Sequence, residues 1–397
     1  MNIASLKNIS TKKKKNVIGL MSGTSLDGVD AVLLEITGSG EFTKLNQINF
    51  ITYPFPKGLK QKLLDNSIIN GGNVSDICRL NFLMAHIYAD AVKSLCKKAR
   101  ISLSKIDFIG SHGQTIHHLP QKKNYFGYKF GSTLQIGDPG VIAKLTGILT
   151  IGDFRTGDIA LGGEGAPLVP YFDFILFHSK KINRALLNIG GISNITVLNK
   201  KGQVEDVLAF DTGPGNMMID LLSKKFFNSE YDRNGNYASK GNINEQLFND
   251  IKRIDKFIEK APPKSTGREY YGKDFLLPLL KKYKKISHND WLSTITDFTA
   301  YGVYRNYEKF IKTDTEIEEI YVSGGGAKNK LLMRSLKKYF GNEIQIKNTN
   351  SLGISSDAKE AICFAVLANE TLSGNPSNIS KVTGASRKTI LGKICLP

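Results

Sequence analysis

Val17-Ile18-Gly19-Leu20-Met21 is followed by Ser22-Gly23-Thr24-Ser25-Leu26-Asp27-Gly28, after which Val29 to Ile36 resumes an apolar run. Two apolar runs around a short loop of glycine, serine and aspartate predict a β-hairpin. The loop concentrates backbone N–H groups, hydroxyls and one carboxylate. Its glycines let a phosphate approach the backbone closely, and its hydroxyls add hydrogen bonds. Asp27 could hold Mg²⁺, directly or through water. Taken alone, the stretch also fits a simple turn.

The second half of the chain repeats the layout. Apolar runs end in Gly190-Gly191 and in Asp211-Thr212-Gly213-Pro214-Gly215-Asn216. A carboxylate at a strand end beside a glycine-rich turn suits a base or a Mg²⁺ ligand, or an ordinary Asx turn. Ile320-Tyr321-Val322 leads into Ser323-Gly324-Gly325-Gly326-Ala327-Lys328-Asn329. Three consecutive glycines are costly to order, and close passage of a flat ligand such as adenine is one reason to carry them. No G-x-x-x-x-G-K-[ST] and no G-x-G-x-x-G occurs, which disfavours P-loop NTPases and Rossmann dehydrogenases. Helices are expected over 76–98, 291–311 and 357–371, and a short strand over 106–109. Strands alternating with helices make the fold class α/β.

The 397 residues are 41% hydrophobic and 23% charged, ordinary globular composition and enough for two domains. The net charge of +18 raises the question of polyanions. Its densest runs, at 12–15 and 281–285, carry no nucleic-acid motif, so a solvated basic face is the reading and no nucleic-acid partner is expected. No run approaches the roughly 20 apolar residues of a membrane helix, and the polar, basic residues 1–15 read as a mobile leader rather than a signal peptide. Cys78, Cys96, Cys363 and Cys395 show no metal or disulfide spacing and read as buried thiols of a cytoplasmic protein.

The densest polar segment is 152–168, with Asp153, Arg155, Asp158 and Glu164 among glycines. It suits a hydroxylated, anionic ligand, with Arg155 free to fork onto a carboxylate. Ser111-His112-Gly113-Gln114-Thr115-Ile116-His117-His118 is similar in kind. Its histidines lack the partners of a metal site and read as hydrogen-bonding groups, so no resident metal centre is expected.

In order, the segments GLMSGTSLDGVD (19–30), SHGQTIHH (111–118), GDFRTGDIALGGEGAPLVP (152–170), LNIGGISNIT (187–196), FDTGPGNMMID (210–220), VSGGGAKN (322–329) and DAKEA (357–361) closely resemble the anhydro-N-acetylmuramic acid kinases of bacterial cell-wall recycling. The resemblance implies two actin-like (ribonuclease H-like) domains with an interdomain active-site cleft. Residues 16–150, joined by 375–397, would form one lobe and 151–374 the other. It implies ATP and Mg²⁺ as cofactors, an amino-sugar substrate and a homodimer. ATP would be held by Ser22, Gly23, Thr24, Ser25, Asp27, Gly28, Gly213, Gly215, Asn216, Gly324, Gly325, Gly326 and Asn329. The sugar would be held by His112, Gln114, Thr115, Asp153, Arg155 and Asp158. Asp211 would be the catalytic base, with Glu360 catalytic beside the sugar. The pattern leads one to expect glutamine where this chain has Glu164, and often cysteine where it has Ser323. A conventional kinase on an open sugar hydroxyl and a nucleotide-switched, chaperone-like protein are the alternatives; the sugar-type loops speak against the latter.

Overall fold

The computed structural model describes residues 3–23, 26, 28–68 and 71–397, with side chains from residue 6 onward. In chain order the strands are β1 (Lys14–Ser22), β2 (Gly28–Thr37), β3 (Lys44–Pro54), β4 (Phe108–Tyr125), β5 (Tyr128–Ile136), β6 (Thr150–Gly152), β7 (Arg184–Ile189), β8 (Ile192–Leu198), β9 (Leu208–Pro214), β10 (Glu319–Ser323), β11 (Gln345–Asn348) and β12 (Lys393–Cys395). They form two sheets, ordered β12-β6-β4-β1-β2-β3, with β5 on β4, and β11-β10-β7-β8-β9.

The two sheets have one plan. β1–β2–β3 and β7–β8–β9 are antiparallel meanders. The first strand of each meander then gains two parallel neighbours in succession: β4 and β6 beside β1, β10 and β11 beside β7. This is the ribonuclease H-like order of actin-type ATPase domains. The apolar runs around Ser22 to Gly28 do pair as a hairpin, from Met21 opposite Asp30 to Lys14 opposite Thr37.

The chain divides into two compact units, Met1–Leu176 with Asp357–Pro397, and Phe177–Ser356. The boundary therefore differs from the one expected at 150. The segment 151–176 packs with the first unit, and the chain returns to it at Asp357 rather than at 375. Glycines explain the early return. Gly19 and Gly110 lie side by side in the β1–β4 register, and helix Lys359–Ser373 rests on them. A Cβ at Gly19 would run into the Ala361 carbonyl, and one at Gly110 into that of Phe364. The helix runs antiparallel to β1, with Asn369 bonded to Lys15 and Ala361 over Gly19. Its first turn, with Glu360, thus reaches the end of the sheet where β1 meets the His112 segment. Buried from Ala361 to Leu372, it is apolar on nearly every side, as a helix enclosed by protein must be. The opposite face of this sheet packs on helix Val74–Ala99 through Leu80, Met84, Tyr88, Val92 and Leu95.

The second unit has two apolar cores: one between its sheet and helices His288–Phe310 and Lys330–Phe340, the other among Met218, Leu222, Trp291 and Phe298, where the first of those helices meets helix Met217–Phe227.

Three expectations differ. The leader is ordered in part: Ile3–Thr11 is helical and β1 begins at Lys14. Lys12 pairs with Asp107 at 2.8 Å, and Lys15 is buried. The strand expected over 106–109 runs on to Tyr125, because β5 pairs with its polar half. Cys78 is exposed, and Cys96 and Cys363 are buried.

Candidate active site

In the first unit the polar groups gather where β1 and β4 end. Ser22 donates to the Gly28 carbonyl at 3.1 Å and to Gln114 Oε1 at 2.6 Å, tying the hairpin to β4. Gly23 follows β1. Thr24, Ser25 and Asp27 lie outside the described residues. Thr115 Oγ1 accepts from Gln135 at 3.2 Å.

His112 is buried. Its Nδ1 donates to the Gly113 carbonyl at 2.9 Å, and its Nε2 accepts from Arg155 Nε at 3.1 Å and Nη2 at 2.9 Å. Only the neutral Nδ1–H tautomer satisfies both sides. Burial, then the Arg155 charge, holds the ring well below its ordinary pKa. The same two causes push His118 down to about 4. Arg155 also donates to the Gly165 carbonyl at 2.7 Å. The guanidinium is therefore partly engaged, and what it offers a ligand is charge and remaining N–H capacity. Glu360 keeps an exposed surface although protein crowds it. The crowding raises its carboxyl above the ordinary value, while Lys359 and Arg155 oppose the rise; the open surface limits how far it goes. Lys359 is itself paired with Asp173 at 2.8 Å in a buried ion pair, which fixes the start of the helix.

Two sugar-site expectations meet a different geometry. Asp158 is fully buried and both its oxygens are engaged: Oδ1 by Asn378 at 2.8 Å and Thr383 at 2.7 Å, Oδ2 by the Gly165 N–H at 2.8 Å. It ties the glycine loop after helix Phe154–Ala160 to the C-terminal segment, and no lone pair is aimed outward. Asp153 pairs with Lys393 across the β6–β12 register.

In the second unit three turns meet at one end of the sheet. The β7–β8 turn supplies carbonyls: Gly190 accepts from Asn216 N at 2.7 Å, and Gly191 from Gly215 N at 2.9 Å and Met217 N at 3.0 Å. Asn216 Nδ2 donates to the Ile189 carbonyl at 3.2 Å. Gly213 has φ +138°, a region L side chains avoid. Gly324 has φ +79°, and its Cβ would strike the Ile189 carbonyl; a Cβ on Gly326 would enter the Ile189 side chain. Gly325 differs. It is exposed, and its Cβ would meet only Asn216 Nδ2, at 3.4 Å. The fold thus requires two of the three glycines and leaves the third for another reason. Asn329 caps helix Lys330–Phe340 by accepting from Leu331 N and Leu332 N at 3.1 Å, so its side chain serves the helix.

Asp211 is partly buried on β9. Its Oδ2 accepts from Thr266 N–H at 2.8 Å. Burial pushes its carboxyl up to about 6, against the Thr266 hydrogen bond and the Lys264 charge, with Glu269 adding to the rise. A carboxylate with a pKa near the working pH is what general-base chemistry needs. Sequence reading missed Thr266 and Lys264, and drew no site residue from Gly190-Gly191. The proline-rich approach Ala261-Pro262-Pro263-Lys264-Ser265-Thr266-Gly267 carries no chemistry of its own on paper.

No described helix is long and apolar enough to cross a membrane. The sequence pattern of the anhydro-N-acetylmuramic acid kinases matches residues 15–397. The enzyme of that name from Clostridioides difficile (strain 630) is 48% identical over 377 residues, covering 95% of this chain and 97% of the relative. That from Caldanaerobacter subterraneus subsp. tengcongensis is 45% identical, covering 98% of each. Among solved structures, component A of the (R)-2-hydroxyglutaryl-CoA dehydratase of Acidaminococcus fermentans is 12% identical with a TM-score of 0.44, covering 90% of this chain and 99% of that one. The chain belongs to the anhydro-N-acetylmuramic acid kinase family.

Proposed function

We propose that Asp211 is the base of a coupled hydrolysis and phosphorylation that uses ATP and an anhydro-amino sugar. Asp211 takes a proton from water, whose oxygen attacks the anomeric carbon. The C1–O6 bond of the bridge breaks, and the freed O6 attacks the γ-phosphorus of ATP. N-acetylmuramic acid 6-phosphate and ADP leave. The observation that carries this reading is the raised pKa of Asp211 at a strand end beside the glycine turns.

The proposal gives the phosphates to the loop 22–28 and to the turns at 213–216 and 324–326, with Gly325 as the point of close approach. The sugar goes to Thr115, Arg155 and Glu360, while His112, Gln114, Asp158 and Asn329, whose polar atoms are engaged within the protein, support from inside. Among the described residues no group of three His, Cys, Asp or Glu side chains could hold a metal. A Mg²⁺ here would bring phosphate and water ligands of its own, and Asp27 is the carboxylate the loop sequence would offer it. When bound, Mg²⁺ supplies charge neutralisation at the phosphates. A homodimer working in the cytoplasm completes the reading.

Run in heavy-oxygen water and read promptly, the product should carry one label at the anomeric carbon and none in the phosphate. Phosphorylation of ordinary N-acetylmuramic acid, with none of the anhydro-sugar, would favour the conventional kinase instead.

A further inference from the structure

Lys264 is buried, 6% exposed, in the segment that brings Thr266 to Asp211. Its ammonium donates to the carbonyls of Phe257 at 3.1 Å and Ile258 at 3.0 Å. Three rings surround it: Phe257 at 4.9 Å, Phe310 at 5.1 Å and Phe210 at 5.7 Å from the centroids. Asp255 closes the same turn, accepting from Phe257 N at 2.9 Å and from Tyr271 Oη at 2.8 Å. The two carbonyls need a donor but not a charged one, and burying an ammonium is costly. The charge therefore calls for a reason, and the reason lies one residue from Phe210. The Asp211 N–H donates to the Lys264 carbonyl at 3.2 Å, and the Asp211 carboxylate accepts from Thr266 N–H, two residues beyond the lysine.

We infer that Lys264 is a positioning residue for the base. It folds the 255–266 segment so that the Thr266 N–H meets the Asp211 carboxylate, and its ammonium favours the ionised form of that carboxylate. The inference rests on the reading of Asp211 as the base. The charged groups acting on Asp211 are Lys264, which favours the anion, and Glu269, which opposes it. Those acting on Lys264 are Asp255, Glu259 and Asp211, which favour its charge, and Lys309, which opposes it. Burial pushes Lys264 down to about 8, so it is still charged where Asp211 titrates.

The test is the pH profile of kcat/KM for the full-length chain and its Lys264→Met, Lys264→Arg and Asp211→Asn variants. An ionised base is needed above its pKa, so losing the ammonium should move the acidic limb upward. A displacement of about one pH unit lowers kcat/KM below the limb about tenfold. ATP affinity should stay, and Lys264→Arg should return the limb towards its original pH. Should Lys264→Met fail to fold, the unaltered chain still decides. With carboxyl-labelled aspartate, assigned against Asp211→Asn, the Asp211 carbon signal should show its own inflection near pH 6 and a second near pH 8 as Lys264 titrates. An unmoved limb in a folded Lys264→Met variant, or no second inflection, overturns the inference while Asp211→Asn is inactive. An Asp211→Asn variant as active as the parent overturns the base reading instead.

Discussion

The two units share a strand order but brace their loops differently. In the first, the glycine loop 161–165 adds a buried side chain to its backbone bonds: Glu164 N donates to the Thr383 carbonyl at 2.7 Å and Ser386 N to that of Leu161 at 2.9 Å, while the Asp158 carboxylate accepts from Gly165 N, Asn378 and Thr383. In the second, the turns at 189–192 and 213–216 hold one another largely through backbone groups, Gly215 N on Gly191 and Asn216 N on Gly190. One substitution at Asp158 removes its three bonds at once. A backbone brace tolerates side-chain changes but depends on glycine where the chains touch. Among its candidate site residues each unit also has a carboxylate raised by its surroundings, Glu360 in the first and Asp211 in the second.

The sharpest way to separate the units is through those carboxylates. Asp211→Asn keeps the shape and still accepts from Thr266 N–H, but cannot take a proton. It should lose about 10²–10⁴-fold in kcat with ATP affinity intact, measured by steady-state kinetics and calorimetry. Glu360→Gln should act more through the KM for the sugar. Equal losses in kcat alone for both variants would remove the distinction.

The bracing contrast predicts stability. Asp158→Ala leaves the Thr383 hydroxyl and the Gly165 N–H without their buried acceptor and should cost about 2–4 kcal/mol. Asn329→Ala removes one helix cap and should cost about 1 kcal/mol. Denaturant titration should rank them in that order. The reverse order would mean that the loop, not the cap, is the tolerant feature.

Among the three glycines, Gly326→Val should destabilise the chain, because its Cβ enters Ile189. On the proposed nucleotide site, Gly325→Val should fold and bind ATP more weakly, since its Cβ meets only Asn216 Nδ2 inside the protein. A folded Gly325→Val variant with unchanged ATP affinity by calorimetry would free that glycine of any ligand role.

These contrasts also mark what the sequence discloses. The hairpin of 17–36 and the helix of 74–99 were legible because apolar period and turn residues agreed. So were the loops, as collections of polar groups. Their division of labour was not. Asp158 and Arg155 look alike as ligand groups on paper; only the partners of Asp158, 220 and 225 residues away in Asn378 and Thr383, show it turned inward. Asn329 looks like part of a nucleotide loop until the helix it caps is seen. Lys264 and Thr266 gave no signal, since their role depends on a segment folding back onto β9.

The last effect is the pH dependence of stability at Asp211. An unfolded aspartate titrates near 3.9, whereas burial raises Asp211 in the fold to about 6. The folded chain therefore holds this proton more tightly than the unfolded chain. Its contribution to stability is fully present below about pH 4 and is lost as pH rises towards 6 and past it. Asparagine has no proton to lose. The Asp211→Asn variant should match the parent near pH 4 and exceed it increasingly up to about pH 6, with a constant gap above. A rise of that size would be worth about 3 kcal/mol in full; the partial exposure of Asp211 brings the expectation to about 1–2 kcal/mol. At a few degrees of Tm per kcal/mol, paired thermal melts across that range would resolve it. A gap that does not change with pH, or one that favours the parent at neutral pH, would show that Asp211 is not strained by its burial. Asp211 would then not be tuned towards basicity by its burial, even if the asparagine variant proved inactive.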